Sequence, residues 1–175
     1  MTNDIRELAQ SASQIIIDAN GEIIGRTRIQ KIAFMLELMN LGSGFKFDYK
    51  HYGPFSENLR SALQFASLFD FIDEDERKTS WGGFYSVYHT KIDGKKSDDD
   101  IRNKAIALGV SANAVELELA ATAAFLASEG THEDAWAETE KRKPEKTSNG
   151  RIEAAKKLYQ EFLKLDQNAS LPEIA

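Results

Sequence analysis

The stretch FKFDYKHYGPFSENL, residues 45–59, decides the fold of the first half of this 175-residue chain. Its first eight residues largely alternate aromatic and charged side chains, which is the period-two pattern of a half-buried strand. Pro54 cannot donate to a strand ladder and disfavours the α conformation at Gly53, but it suits the first turn of a helix. We therefore predict that Tyr52-Gly53-Pro54 is a structural corner, where the strand turns directly into a helix capped by Ser56.

Amphipathic helices are predicted on both sides of this corner, because apolar residues recur there at every third or fourth position. The first helix starts at Asn3 and ends at Asn20-Gly21, a pair suited to left-handed backbone. The second has Thr27 as its N-cap and ends at Gly42 and Gly44. The third follows the corner.

A hairpin completes this half of the chain. Residues 71–78 and 84–92 have the pattern of two strands joined by a Gly82-Gly83 turn, with Trp81 at the tip. Helix, helix, strand, helix and hairpin form a winged-helix-like order. The predicted fold is mainly α (α+β), with a winged-helix-like N-terminal half, a small antiparallel sheet, a β-hairpin wing and a C-terminal helical subdomain.

We divide the chain into a winged-helix-like subdomain, 1–93, and a helical subdomain, 94–175, packed together as one compact unit. In the second subdomain an apolar helix over residues 111–128 is the predicted buried spine. A shorter helix before it is capped by Ser97 or an adjacent Asp and stops at Gly109. After the spine we predict, in order, a helix with a Thr131 and Asp134 capping box that ends at Lys143-Pro144, a last helix with an apolar stripe from Ile152 to Leu165, and a frayed tail.

Composition excludes several kinds of chemistry. The absence of cysteine excludes disulfides, thiolate zinc sites, iron–sulfur clusters and cysteine nucleophiles. A net charge of −6 argues against a broad nucleic-acid-binding surface, because phosphate contacts are the main sequence-independent source of that affinity. No apolar run approaches the ~18 residues that a membrane span needs, and the N-terminus lacks the pattern of a signal peptide. We expect a cytoplasmic protein with no membrane partner.

No catalytic, cofactor-binding or metal-binding motif stands out. His51, His89 and His132 lack the spacing that places two metal ligands on one helix face. The acidic runs 73–76 and 98–100 lack calcium-loop spacing and are typical of an exposed strand and a helix start. We therefore predict a non-enzymatic protein with no metal and no cofactor. An enzyme that works through His51 and nearby carboxylates is the weakest alternative.

The winged-helix order makes DNA one candidate partner. The third helix would then be the recognition helix. Glu57 and the acidic hairpin would face phosphates, so a solvated polar face is the competing interpretation. The side chains suited to contact DNA are Asn58, Arg60, Ser61 and Gln64 on the helix and Arg77 and Lys78 on the wing.

A protein is the other candidate partner. Trp81 at the hairpin tip, flanked by Phe84 and Tyr85, is suited to anchor one, since exposed aromatic residues dominate interface energetics. The alternative is a tryptophan that folds back on the core.

Two motifs carry a resemblance to known families. Ile29-Gln30-Lys31-Ile32 matches a Leu-Gln-Lys-Leu-like helix, and Tyr52-Gly53-Pro54-Phe55-Ser56 matches a Tyr-Gly-Pro-Tyr-Ser-like corner. Together with the later segments LELAATAAFLA and KRKPEK, these motifs make the chain resemble the YwgA-like family of largely uncharacterised bacterial and archaeal proteins. The chain is similar, more distantly, to Panacea (SocA-like) domains. That second resemblance implies an antitoxin or proteolytic adaptor, which acts by binding partner proteins.

We therefore predict a regulatory or antitoxin-like module that binds a toxin or regulatory protein. The alternatives are a winged-helix DNA-binding transcriptional regulator and, for the partner, a second copy of the chain. Gln30 and Lys31 form either the polar face of a core helix or a contact surface shared with the corner. The predicted binding residues are Gln30, Lys31, Tyr52, Asn58, Arg60, Gln64, Arg77, Lys78 and Trp81, and the structural corner consists of Gly53 and Pro54.

Overall fold

A computed structural model describes residues 2–174 of the chain. Helices and short strands alternate in the first half, and the second half is helical, so the mainly α (α+β) prediction is confirmed. The helices are α1 (Thr2–Asp18), α2 (Arg26–Leu38), α3 (Glu57–Leu68), α4 (Asp100–Ser111), α5 (Ala114–Glu129), α6 (Ala135–Arg142) and α7 (Arg151–Leu165), with a 3₁₀ turn at Pro144–Lys146. The strands are β1 (Glu22–Ile24), β2 (Asp48–Lys50), β3 (Gly53–Phe55), β4 (Ile72–Lys78) and β5 (Phe84–Thr90).

The first half has the winged-helix order. Strands β1, β5 and β4 form an antiparallel sheet in that spatial order, and β4 and β5 form the predicted hairpin. We call this hairpin, residues 72–90, the wing. The third strand of the sheet, β1, was not predicted, because three residues are too few to show an alternating pattern. Ile23 of β1 is buried opposite Tyr88, and this pair closes the sheet over the core.

The predicted strand-to-helix corner is wrong in one respect. The strand is short, and it pairs with Gly53–Phe55 as a two-stranded antiparallel hairpin, so Pro54 lies in a strand and not in the first turn of α3. Proline is tolerated there because a two-stranded hairpin has free edges that need no donor. The cap prediction is confirmed, since the Ser56 hydroxyl accepts a hydrogen bond from the Leu59 amide. We call residues 48–55 the corner hairpin.

Three predicted helix boundaries are also wrong. Gly25, with φ of 104°, takes the N-cap position of α2 that we assigned to Thr27, and α2 ends at Leu38, ahead of the predicted stop at Gly42 and Gly44. Helix α4 continues past Gly109 to Ser111, so this glycine does not end the helix. A Cβ on Gly109 would lie 2.5 Å from Cγ1 of Ile32, so the missing side chain lets α2 and α4 approach each other.

The tail after α7 was predicted to fray, but it packs against the protein. Leu171 is buried, and its amide donates to the Asp166 carboxylate. The Tyr159 hydroxyl donates to the Pro172 carbonyl, and the Asn40 amide bonds to Ser170. These contacts fix the segment to α7 and to the end of α2.

The predicted spine is confirmed as α5, which is buried over most of its length. One contiguous cluster of buried apolar side chains draws on both halves of the chain. The division at residue 93 stays a prediction. Within residues 2–174, no helix is both long and apolar enough to cross a bilayer.

Candidate functional site

The corner hairpin is fixed to the interior by buried polar side chains of α2. The Lys31 ammonium donates to the Pro54 carbonyl at 2.7 Å. The side-chain amide of Gln30 donates to the Ser56 carbonyl at 3.0 Å, and its oxygen accepts from the Ser56 backbone amide at 2.8 Å. Both side chains are buried, so the structure places them against the protein's own backbone and not on an open contact surface.

A second set of contacts reaches the same hairpin from the C-terminal half. Glu118 of α5 is buried and binds the Lys143 ammonium at 2.9 Å and the Lys146 ammonium at 2.8 Å. Lys143 also donates to the His51 carbonyl at 3.0 Å. At the predicted corner, Lys143 and Lys146 therefore bind one buried carboxylate, and Lys31 and Lys143 bind the backbone beside it.

Lys31 is electrostatically unusual. Burial lowers the pKa of its ammonium to about 7, with Glu118 acting in the opposite direction and Lys143 and Lys146 adding repulsion. Among the described residues, Lys31 forms no ion pair within 4 Å, so apart from its hydrogen bond to the Pro54 carbonyl its charge is stabilised only at a distance. A lysine of this kind is a frequent feature of functional sites, although structural networks produce it as well.

Gly53 is required by backbone conformation and by space. Its φ is 86°, and a Cβ at this position would lie 2.3 Å from Oγ1 of Thr122 on α5. Next to it the Tyr52 side chain is 57% exposed, with the Lys146 ammonium 4.9 Å from its ring centroid. The corner hairpin therefore has a buried backbone side and an exposed aromatic side.

A cleft of about 560 Å³ opens beside the corner hairpin, between α2, α3 and the inner face of the wing. It brings together five of the predicted binding residues, Gln30, Lys31, Tyr52, Arg60 and Gln64. The other four lie outside it, Asn58 at the start of α3 and Arg77, Lys78 and Trp81 on the wing. The cleft is lined by Arg26, Thr27, Gln30, Lys31, Tyr52, Phe55, Arg60, Leu63, Gln64, Glu74 and Tyr88.

One wall of the cleft holds an ion pair that the sequence analysis missed. The Arg26 guanidinium contacts the Glu74 carboxylate at 2.6 Å, and the Ser86 hydroxyl donates to the same oxygen at 3.2 Å. Burial and the neighbouring Glu74 raise the pKa of Tyr88. Glu74 and Tyr88 pair across the wing, so the hairpin register contained a signal for this part of the cleft. Arg26 reaches it only through the packing of α2.

Another missed signal lies in α5. Glu118 occurs within VELELAATAAFLA, a largely apolar stretch that also contains Glu116 and Thr122 and that we predicted to be apolar on nearly all sides. A carboxylate buried in such a helix must find cationic partners. The sequence could have indicated that partners exist, but not that they are Lys143 and Lys146.

The tip of the wing is open to solvent. Trp81 is 81% exposed and Phe84 65% exposed, so the alternative of a tryptophan packed on the core is wrong. The indole lies over Gly83, where an added Cβ would be 2.5 Å from the ring. The Thr79 hydroxyl closes the loop by bonding the backbone of Gly83.

The outer strand of the wing carries the acidic run. Lys91 lies 3.7 Å from Asp73, and the His89 ring lies 3.7 Å from Asp75. Within the described part of the chain, Glu76 has no ion-pair partner. The exposed side of the wing is therefore mixed in charge, with more carboxylates than cations.

The exposed face of α3 carries little net positive charge. Arg60 lies 3.4 Å from Glu57, and Lys50 lies 3.7 Å from the same carboxylate. The described residues contain no group of three or more histidine or acidic side chains arranged to hold a metal ion. His51 is exposed, and the contact that involves it is made by its backbone carbonyl.

Comparison with known proteins gives one partial likeness. The chain is 31% identical over 75 residues to the uncharacterised protein YwgA of Bacillus subtilis (strain 168). The match covers 43% of this chain and 44% of that protein, so the chain spans less than half of the length of its relative. This likeness supports the YwgA-like resemblance. No family model matches the chain, and no solved structure matches it.

Proposed function

We propose that this protein is a non-enzymatic regulatory or antitoxin-like module that binds another protein through the tip of its wing. The observation that carries this proposal is the exposure of Trp81 together with Phe84 at the end of a hairpin. Large aromatic side chains supply much of the energy of protein interfaces, and leaving them in water has no benefit for folding. A tip of this kind can insert into a pocket of a partner.

Charge indicates what the partner's surface carries. The chain has a net charge of −6, and the strand that leads to the tip holds four consecutive carboxylates, residues 73–76. Complementary charge speeds association and excludes wrong partners. We therefore propose a partner with an apolar pocket in a basic surface. A toxin as the partner would follow from the distant Panacea (SocA-like) resemblance.

The competing function is a winged-helix DNA-binding transcriptional regulator, and the observation in its favour is the topology of the first half. Its difficulty is electrostatic, since Glu57 offsets Arg60 of α3 and Lys50 of β2, and the acidic run lies on the wing. Affinity for duplex DNA depends mainly on phosphate contacts, and these surfaces offer few.

Affinity capture tests the proposal. The tagged wild-type chain at native expression is expected to recover a defined protein in stable, near-stoichiometric amounts. The variant Trp81→Ser with Phe84→Ser is expected to lose at least about tenfold of it, because two anchor residues each contribute one to several kcal/mol. Leu68→Ser, at a residue that is 74% exposed at the end of α3, is the matched control and should retain the partner.

Three outcomes would contradict the proposal: no stable partner, equal capture by the wing variant, or equal loss with the Leu68 control. Folding is checked by thermal unfolding, in which both variants should match the wild type because these side chains are exposed. Salt-sensitive retention of duplex DNA that is lost in Arg60→Ala would instead support the competing function.

A further inference from the structure

The cleft beside the corner hairpin has the composition of a small-molecule site and is separate from the wing tip. Its volume of about 560 Å³ lies within the range of ligand pockets, roughly 300–1,000 Å³. Such pockets combine apolar walls with a few convergent polar groups. Here the apolar walls are Tyr52, Phe55, Leu63 and Tyr88.

The charged groups of the cleft are unbalanced. Arg26, Lys31 and Arg60 line it, and Glu74 is the carboxylate among its lining residues. Glu74 is already occupied, because the same oxygen binds both Arg26 and the Ser86 hydroxyl. Arg60, which is exposed and always charged, therefore leaves the lining with an excess of positive charge that attracts an anion.

Arg60 is the cation with capacity left for a ligand. It lies 3.4 Å from the exposed Glu57, a type of pair that contributes little in water. Lys31 is 1% exposed and donates to the Pro54 carbonyl, so its ammonium lies behind the wall of the cleft. The Gln64 amide and the Thr27 hydroxyl, which also line the cleft, add neutral donors.

We propose that this cleft binds a small organic anion, a carboxylate or a phosphate ester joined to a flat apolar group. The cations attract the anionic group, and the aromatic and leucine side chains bury the apolar group. A neutral compound of the same shape gains only the burial of its apolar group. The proposal goes beyond protein binding at the wing tip, and each stands if the other fails.

The test is a titration of the full chain, followed by amide chemical shifts, with three probes of similar shape. The probes are benzoate, phenyl phosphate and neutral benzyl alcohol. Both anions are expected to shift amides of α2, α3 and the corner hairpin, and at least one should bind about tenfold more tightly than the alcohol, as a 1.4 kcal/mol advantage requires. The tighter of the two anions identifies the class of ligand.

Substitutions locate the site. Arg60→Met removes an exposed cation and should weaken anion binding about fivefold while leaving alcohol binding unchanged. Leu63→Trp should block all three probes by filling the cleft. Arg77→Met is the matched control, since Arg77 is an exposed arginine of the wing that lies outside the cleft.

The proposal is overturned if benzyl alcohol binds as tightly as both anions, or if the shifts map elsewhere. It is also overturned if Arg77→Met weakens binding as much as Arg60→Met does, because the attraction would then be a general surface effect. The proposal is overturned as well if no amide shifts appear at millimolar probe concentrations. Arg60→Met removes an exposed side chain and is expected to fold, so its result is decisive by itself.

Discussion

The two hairpins of this protein are built in opposite ways. The corner hairpin has three residues in each strand and is held by buried side chains from α2, from α5 and from the segment after α6. The wing has seven residues in each strand, and the Thr79 hydrogen bonds at its tip stay within its own loop. A short hairpin is marginal in water and needs the interior, whereas a long one in a sheet can leave its tip free. The comparison separates a structural element from one that is available to a partner.

The largest effect is expected at the buried carboxylate behind the corner hairpin. Glu118→Gln leaves Lys143 uncompensated in the interior and removes the attraction that offsets the burial of Lys31. Breaking a buried pair in this way costs about 3–5 kcal/mol of unfolding free energy. Chemical denaturation measures it.

Glu76→Gln on the wing is the matched control, because Glu76 is an exposed carboxylate on β4. Its effect should stay within about 0.5 kcal/mol. Similar losses for the two variants would remove the distinction between the hairpins.

Two glycines, one in each hairpin, test the same comparison with a smaller expected effect. Gly53 and Gly82 both have positive φ, 86° and 93°, but only Gly53 has an atom within 4 Å of where a Cβ would be. Gly82→Ala should cost about 1 kcal/mol, from backbone strain alone. Gly53→Ala should cost about 3 kcal/mol, because strain and the contact with Thr122 add.

Removing the opposing side chain tests this cause. Thr122→Ala should recover part of the loss when it is combined with Gly53→Ala, as measured by a double-mutant cycle of denaturation free energies. Equal losses for Gly53→Ala and Gly82→Ala would mean that the packing of the corner on α5 is unimportant.

The last comparison concerns pH and Lys31. The folded-state pKa is about 7, below the model-peptide value of 10.5, so the unfolded chain binds the extra proton between these limits. Stability therefore rises with pH in that window, and below pH 7 the full cost of a buried charge is present. Between pH 7 and pH 9 this contribution amounts to about 2 kcal/mol.

Lys31→Met removes the titrating group and keeps an apolar stem. The unfolding free energy of the wild type minus that of this variant should rise with pH over that window. A constant difference would mean that Lys31 is charged in the folded protein up to at least pH 9, and that its hydrogen bond to Pro54 is its main contribution.

The corner shows most clearly how much of the fold could be predicted from the sequence. The alternation of residues 45–49 and the Ser56 cap are confirmed, because both are local preferences. The hairpin was missed because Gly-Pro is compatible with either a helix start or a strand, and only pairing with β2 decides between them. The prediction of a purely structural corner is incomplete, since a cleft with ionisable groups lies beside it.

Only part of the candidate site was predicted, because local patterns reveal some of its residues and long-range packing decides the others. Arg60 and Gln64 follow from the polar face of one helix, and Trp81 follows from a turn pattern. Glu118, Lys143 and Lys146 meet across 28 residues of sequence, a separation that no periodicity reveals. Gln30 and Lys31 have the polarity of surface residues, and only the packing of the hairpin on α2 buries them.

The sequence alone determined the order of the helices and the wing, the absence of thiol chemistry and the aromatic tip of the wing. These features depend on residue type and on spacing along one segment, which are physical preferences of short range. The tertiary structure decided the burial of Gln30 and Lys31, the pairing of Glu118 with Lys143 and Lys146, and the cleft. Such features arise when segments far apart in the chain exclude water together, because the cost of a buried charge is set by its neighbours in space.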